Sequence, residues 1–193
     1  MASIFSKIHS KAEQAGIAPR TDESKKWFLR RLRTLSTPPP KVLKDSALNI
    51  RKKPLIGRMF MFTYDPKGKE TLPFYDSFPL ILMVGPAENG FYGLNLHYLP
   101  PRGRAIFFDK LMEFLNNKKL DETTRFRLSY GLLSGSRKYR AFAPCFKHYL
   151  YSQVTSNTVE VPPNEWEIAL FLPTDNFIGE KNSKIWAENR KLL

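Results

Sequence analysis

Three short apolar segments, rich in aromatic residues, constrain the fold of this chain more than any other feature of its sequence. They span residues 59–64, 80–84 and 92–98, so each is five to seven residues long, which is typical of a strand. The sequence Asp65-Pro-Lys-Gly predicts a turn after the first segment, and Gly85-Pro with Asn89-Gly predicts a turn after the second. We therefore predict an antiparallel meander that closes into a small barrel-like sheet of the SH3 or OB type.

The sequence after this meander predicts helices that pack on the sheet. Pro101 is suited to the first turn of one helix, Asp121 is a suitable N-cap for a second, and Pro144 is suited to the start of a third. A short helix that carries Trp186 is expected over residues 183–193.

Two later segments have the alternation of a strand. Apolar and polar side chains alternate over residues 158–161 and 166–172, and two prolines and an asparagine separate the segments. We expect both to complete the sheet that begins at residue 59. With the helices, they define an α+β core domain over residues 51–193.

The first fifty residues are predicted to form a basic, partly extended N-terminal arm. Residues 3–15 have the apolar spacing of an amphipathic helix, and Thr21 is a suitable N-cap for a second short helix. The run of three prolines at positions 38–40 then predicts an extended spacer. We expect this arm, residues 1–50, to extend from the core and to be mobile without a partner.

The positive charge of the chain is concentrated before the predicted sheet. The formal net charge is +13, and residues 20–58 alone hold twelve Lys/Arg and three Asp/Glu, a balance of +9. A segregated basic segment favours a polyanionic partner, and nucleic acid is the commonest one. Solubility and an acidic protein partner are alternatives, and the second helix could also lie on an anionic membrane, which we rank below DNA because its apolar stripe is only four residues long. No apolar run reaches eighteen residues, so the sequence predicts no membrane span.

Twelve cations are the candidate nucleic-acid contacts, because Lys and Arg neutralise phosphates. They belong to the second helix, to the entry of the first strand, and to a later cluster in which aromatic residues are interleaved. They are Lys25, Lys26, Arg30, Arg31 and Arg33; Arg51, Lys52, Lys53 and Arg58; and Arg137, Lys138 and Arg140. The alternative is that the second group is a solvated linker and the third simply faces solvent beside core aromatics.

The sequence does not indicate a reaction. It has no phosphate-binding loop, no dinucleotide fingerprint and no nucleophile-elbow motif, and its single cysteine, Cys145, excludes a disulfide framework. Asp65, Glu70, Asp76 and His97 could converge on a divalent metal as in a nuclease. Turn formation explains the two aspartates equally well. We therefore predict a protein that is not an enzyme and holds no metal or cofactor.

The meander also resembles a known family. Its motifs are Met59-x-Met-Phe-x-Tyr-Asp-Pro-Lys, Leu72-Pro-Phe-Tyr-Asp-x-Phe-Pro-Leu and Gly90-Phe-x-Gly-Leu-Asn-Leu-His-Tyr-Leu-Pro-Pro. They resemble small virion-associated proteins of contractile-tailed bacteriophages, of the marine myovirus type. The resemblance continues into residues 137–147 and 165–173, and so covers most of the chain after residue 50.

This resemblance implies a DNA end protector, a virion protein that binds the termini of packaged DNA and shields them from host exonuclease. It implies DNA ends or the packaged genome and other virion proteins as partners. It also implies the virion as the location, with the host cytoplasm during assembly. It carries no catalytic residues to this chain. The alternative is a structural subunit of the phage neck, tail or baseplate that uses its arm to dock neighbouring proteins.

Overall fold

A computed structural model describes residues 3–32, 39–51, 54–115 and 142–190. Within these ranges the chain forms six helices and eight strands. The helices are α1 (Ile4–Gln14), α2 (Asp22–Leu32), α3 (Pro39–Leu43), α4 (Pro101–Leu115), α5 (Trp166–Phe171) and α6 (Asn182–Arg190). The strands are β1 (Asn49–Arg51), β2 (Met59–Met61), β3 (Tyr75–Asp76), β4 (Leu80–Ala87), β5 (Gly90–Asn95), β6 (Phe146–Leu150), β7 (Thr158–Val161) and β8 (Phe177–Ile178).

Six of the strands form one antiparallel sheet in the order β1-β7-β2-β4-β5-β6, and β3 pairs with β8 in a separate two-stranded sheet. The predicted meander is confirmed, because β2, β4 and β5 are neighbours, and β7 joins β2 as expected. The α+β class is confirmed as well. The described strands form an open sheet with β1 and β6 at its ends, so the barrel-like closure is not confirmed.

The hairpin between β4 and β5 differs in one detail from the prediction. Ala87 pairs with Gly90, so the turn is formed by Glu88 and Asn89, and Asn89 has a positive φ of 55°. The segment Gly85-Pro86 lies inside β4 next to a register shift and is not a turn. Gly90 is required sterically, because a Cβ there would lie 1.9 Å from the carbonyl oxygen of Tyr149.

The two faces of the sheet bury different side chains, as the period of two requires. Met59 and Met61 of β2 belong to the large core beneath the helices, whereas Phe60 and Phe62 belong to a smaller cluster on the other face. Four aromatic rings of that smaller cluster contact one another edge-on or stacked, with centroids 4.9–6.3 Å apart. They are Phe62, Tyr64, Phe91 and Tyr149. The aromatic content of the meander is thus explained mainly by packing.

The prediction of a strand over residues 166–172 is wrong. Trp166–Phe171 is helix α5, and all six of its residues are buried. A segment that is covered on every side shows neither the helical nor the strand period clearly, so the alternation was not informative. Glu167 looked like a solvent-facing position of a strand, but its carboxylate is buried and accepts a hydrogen bond of 2.5 Å from the Ser24 hydroxyl of α2.

The prediction of a helix that starts at Pro144 is also wrong. A short 3₁₀ turn over Ala143–Cys145 leads directly into β6, which pairs with β5. The aromatic residues Phe146 and Tyr149 have a preference for strands, and pairing with β5 decides the conformation of this segment. His97 does not lie in a strand either, because β5 ends at Asn95, whose side chain accepts from the His97 N–H at 3.0 Å and begins a 3₁₀ turn.

The N-terminal helices pack on the core, so the expectation that residues 1–50 extend from it is wrong for the described part of this segment. Phe5 of α1 and Phe28 and Leu32 of α2 are 0–2% exposed and share one core with the sheet. Because these two helices carry complete apolar stripes, burial stabilises them more than solvation of an arm would. Residue 50 lies within β1, and the division into an arm and a core domain at that residue stays a prediction.

Several smaller predictions have clear outcomes. Thr21 caps α2 as expected, since its hydroxyl accepts from the Ser24 N–H at 3.0 Å. Helices α4 and α6 are confirmed close to their predicted starts. The spacer prediction is wrong at Pro39, because helix α3 begins there and includes Pro40. The helix expected after Asp121 lies outside the described residues.

Candidate nucleic-acid interface

Lys25 is one of the predicted phosphate contacts that the structure places in an ion pair. Its Nζ lies 2.6 Å from Asp109 Oδ2 of α4 and 3.3 Å from Asp22 Oδ1. Partial burial acts to lower the pKa of Lys25, but the hydrogen bonds and attraction of the two carboxylates outweigh it and raise the pKa above its usual value. Lys25 therefore links α2 to α4 and is a weak candidate for a phosphate contact.

Lys26 and Arg30 fit the prediction better. They are exposed, and they lie four residues apart, so they are neighbours on one face of α2. Among the described residues no carboxylate lies within ion-pair distance of either side chain. Arg31 is exposed as well, and Arg33 lies outside the described residues.

Arg51 and Arg58 converge on one carboxylate. Arg51 Nε lies 2.7 Å from Glu160 Oε2, and Arg58 Nε lies 3.9 Å from Glu160 Oε1. The Glu160 side chain is 8% exposed, whereas both arginines are about half exposed. This cluster holds β1 and β2 to β7, and one negative charge offsets part of its two positive charges. Lys52 and Lys53, and Arg137, Lys138 and Arg140 of the later cluster, lie outside the described residues.

Several acidic side chains lie inside the protein rather than on its surface. Glu165 is 3% exposed and accepts a hydrogen bond of 3.1 Å from the Ser3 hydroxyl and a second one from Ser6, and Glu167 accepts 2.8 Å from the Arg20 N–H. Glu160 and Asp76 are also less than 10% exposed. These four carboxylates therefore oppose a polyanion at the surface less than exposed ones would, whereas other acidic side chains, such as Glu13, Glu23 and Glu70, are exposed.

The four residues of the nuclease alternative do not meet at one point. Asp65 pairs with Lys69 at 2.9 Å, and Glu70 is exposed. Asp76 and His97 do meet, but both are buried and bonded to each other. Within the ranges that the structure describes, no three His, Cys, Asp or Glu side chains are grouped as metal ligands would be.

Asp76 and His97 instead form the centre of a buried polar network. His97 Nδ1 lies 2.7 Å from Asp76 Oδ2, which also accepts from Asn95 Nδ2 at 2.9 Å, and Asp76 Oδ1 accepts from the Phe78 N–H at 3.0 Å. Burial acts to raise the pKa of Asp76, but the attraction of His97 and these hydrogen bonds outweigh it and lower the pKa. On the other side of the ring, His97 Nε2 lies 3.3 Å from Thr174 Oγ1.

Arg104 of α4 completes this network and was not among the residues predicted from the sequence. It is 1% exposed and donates to the carbonyl oxygens of Leu99, Leu170 and His97 at 2.9, 3.1 and 3.3 Å. Its ion pair with Asp175, at 3.2 Å, does not fully offset burial, which lowers the pKa of Arg104. The sequence did contain an indication that Arg104 is buried. It precedes the buried Phe107, Phe108 and Leu111 by three, four and seven residues, and residues at this spacing share one helix face.

A cleft, here called the aromatic cleft, opens beside this network. It has a volume of about 310 Å³. Aromatic rings line it, namely Tyr64, Phe74, Tyr75, Tyr98 and Tyr149. Lys67 and Lys147 are its cations, and Lys147 Nζ lies 4.2 Å from the centroid of the Tyr98 ring. Neither lysine was among the twelve predicted contacts.

These features define a basic α+β protein with exposed cations on α2 and four buried carboxylates among its described residues. None of the helices in the described ranges has both the length and the apolar character needed to cross a bilayer.

Comparison with protein families gives a direct result. Residues 1–190 match the family model described as phage T4 terminal DNA protecting protein. The match covers nearly the whole chain, so the chain belongs to this family. No curated protein and no solved structure matched. The resemblance to phage DNA end protectors is thereby confirmed.

Proposed function

We propose that this protein protects the termini of phage DNA by binding duplex ends through their phosphates, without cleaving them. The observation that carries the proposal is the pair Lys26 and Arg30, exposed on α2 of a protein that has a formal net charge of +13. Membership of a family of terminal DNA protecting proteins supports DNA as the ligand.

The physical basis is competition for the terminus. An exonuclease must engage a free strand end before it can act, so a protein bound there excludes it for as long as the complex lasts. Phosphate contacts provide the affinity, because each one releases condensed counterions from the DNA. We propose the virion as the place of action and the host cytoplasm as the place of assembly.

The proposal that the protein does not cleave DNA rests on the partners of its aspartate side chains. Asp76 is held by His97 in the interior, and Asp65 faces Lys69 at the surface. A nuclease needs carboxylates that converge on a metal and on the scissile phosphate. In the described residues these carboxylates serve turns and packing instead.

A second candidate is a structural subunit that docks on other virion proteins. Strand β1 is an edge of the described sheet, and Ile50 on it is 56% exposed. Tyr151, which is 41% exposed, lines the same cavity of about 500 Å³ as Ile50 and Arg51. An edge strand beside exposed apolar side chains suits addition of a strand from a partner protein.

The test is a salt titration with a linear duplex. Each lost phosphate contact lowers the slope of log K against log salt by roughly 0.9, so Lys26→Ala/Arg30→Ala is expected to lower it by about 2. Lys181→Ala/Lys184→Ala removes the same charge from another part of the surface and is the control, expected to change the slope less. An unchanged slope in the first variant would remove α2 from the interface. Failure of the unmodified protein to bind DNA at all would favour the structural subunit.

A further inference from the structure

The aromatic cleft contains a cation that the described part of the chain does not neutralise. Lys147 of β6 is half-buried, and its Nζ contacts the face of the Tyr98 ring. No carboxylate of the described residues lies within ion-pair distance of this Nζ. Burial lowers the pKa of Lys147, which is the direction expected of an ammonium group that has lost water without gaining a counter-charge. An anion in the cleft would supply that counter-charge.

The charged residues that line the cleft are two lysines, Lys67 and Lys147, and one aspartate, Asp76. Asp76 lines it, but His97 and Asn95 already occupy one of its carboxylate oxygens, and the Phe78 N–H occupies the other. Lys67 is exposed at the rim. The His148 imidazole lies 3.0 Å from the carbonyl oxygen of Glu88 and adds no negative charge.

The volume of the cleft and the residues that line it restrict which kind of anionic ligand can bind there. Its volume of about 310 Å³ is at the lower end of the range of roughly 300–1,000 Å³ for small-molecule sites, so a single nucleotide fits and a duplex does not. Phe74 and Tyr75 are half-buried and line it, and aromatic rings at that depth can stack with a base.

We propose that the aromatic cleft takes the terminal nucleotide of a DNA strand, with its phosphate on Lys147 and its base against Phe74 and Tyr75. This inference rests on the proposed function and adds to it the element that distinguishes an end from the interior of a duplex. Interior phosphates have no access to a cavity of this size, whereas a strand end can enter it. The α2 cations would then supply affinity for any duplex, and the cleft would supply the preference for ends.

The experiment compares two DNA molecules of equal length and sequence. One is a hairpin with a single phosphorylated free end, and the other is a dumbbell closed at both ends. The ratio of the two affinities is the end preference. Lys147→Met removes the charge but keeps an unbranched side chain against Tyr98, and is expected to lower the end preference roughly tenfold with little change for the dumbbell. Lys147→Arg is expected to retain the preference, and Lys181→Met is the matched control from another surface.

The outcomes separate the two proposals. If Lys147→Met keeps the full end preference of the unmodified protein, the cleft assignment is overturned and the proposed function stands. If the unmodified protein binds hairpin and dumbbell equally, end binding itself fails, and the cleft assignment fails with it.

A competition experiment on the unmodified protein covers the case in which Lys147→Met does not fold. Deoxyadenosine monophosphate at millimolar concentration is expected to displace the hairpin more readily than the dumbbell, and inorganic phosphate is expected to do so less well because it lacks a base. Equal displacement of both DNA molecules, or equal potency of phosphate and nucleotide, would overturn the assignment of a nucleotide site.

Discussion

His97 Nδ1 lies 2.7 Å from Asp76 Oδ2, and both side chains are buried at the junction between the large sheet and the β3–β8 sheet. The backbone around His97 is fixed as well, because its carbonyl oxygen accepts from Trp186 Nε1 at 2.7 Å and from Arg104 at 3.3 Å. A single polar network thus joins β3, α4 and α6. Asp76 and His97 were candidate metal ligands in the sequence. In the structure their side chains are bonded to each other and hold these elements together.

Asp76→Ala is therefore expected to destabilise the fold by about 3–5 kcal/mol, because it leaves His97 buried without its partner. Asp65→Ala is the matched control. Asp65 pairs with Lys69 at the surface, and an exposed pair contributes only about 0–1 kcal/mol. Urea unfolding of both variants measures the difference. Equal small losses would contradict the structural role of Asp76.

The same carboxylate predicts a dependence of stability on pH. The pKa of Asp76 is lower in the folded protein than in the unfolded chain, where it is about 3.9, so the unfolded state binds more protons between the two values. Its contribution is fully present above the unfolded pKa and is lost as the pH falls through the folded pKa. We expect the free energy of unfolding to fall less steeply below pH ~4 in Asp76→Asn than in the unmodified protein. Parallel curves would argue against this linkage.

Arg51 and Arg58 should differ in their effect on stability. Arg51→Ala removes the closer partner of the buried Glu160 and is expected to cost about 1–3 kcal/mol. Arg58→Ala removes a contact of 3.9 Å and is expected to cost less. Chemical denaturation ranks the two variants. The reverse order would mean that Glu160 is held mainly by Arg58.

The N-terminal helices should resist hydrogen exchange. Phe28 is 2% exposed in the main core, so α2 is expected to exchange slowly, and Phe28→Ala is expected to cost about 3–5 kcal/mol. Arg30→Ala, on the exposed face of the same helix, should stay within about 0.5 kcal/mol of the unmodified protein. Rapid exchange throughout α2 would restore the prediction of a mobile arm.

Cys145 should be unreactive in the folded protein. It is 1% exposed, and burial raises the pKa of its thiol to about 12, despite the opposing effect of Lys147 and Arg104. The thiolate is the reactive form, so a thiol reagent at pH 8 is expected to label the protein only after unfolding in urea. Labelling of the folded protein at the same rate as the unfolded one would contradict the burial of this side chain.

The local sequence determined those elements whose partners are close in the chain. The β4–β5 hairpin follows from two apolar runs around Asn89-Gly90, and helices α1, α2 and α4 follow from apolar side chains at helical spacing with a cap or a proline at the start. The family motif also lies in this region. These signals are local, because turn geometry and side-chain period depend on neighbours within a few residues.

Only the tertiary structure decided which charged residues are buried and which conformation the fully buried segment adopts. Glu167 and Arg104 are polar in sequence, but their partners, Ser24 and Asp175, lie 143 and 71 residues away, so no local pattern reports that they are buried. The helix Trp166–Phe171 is buried along its whole length, and burial on all sides removes the period that distinguishes a helix from a strand in the sequence. The aromatic cleft likewise forms only where β3, β5 and β6 come together. The sequence shows that the chain has these aromatic and basic residues, but it does not show that they lie around one cavity.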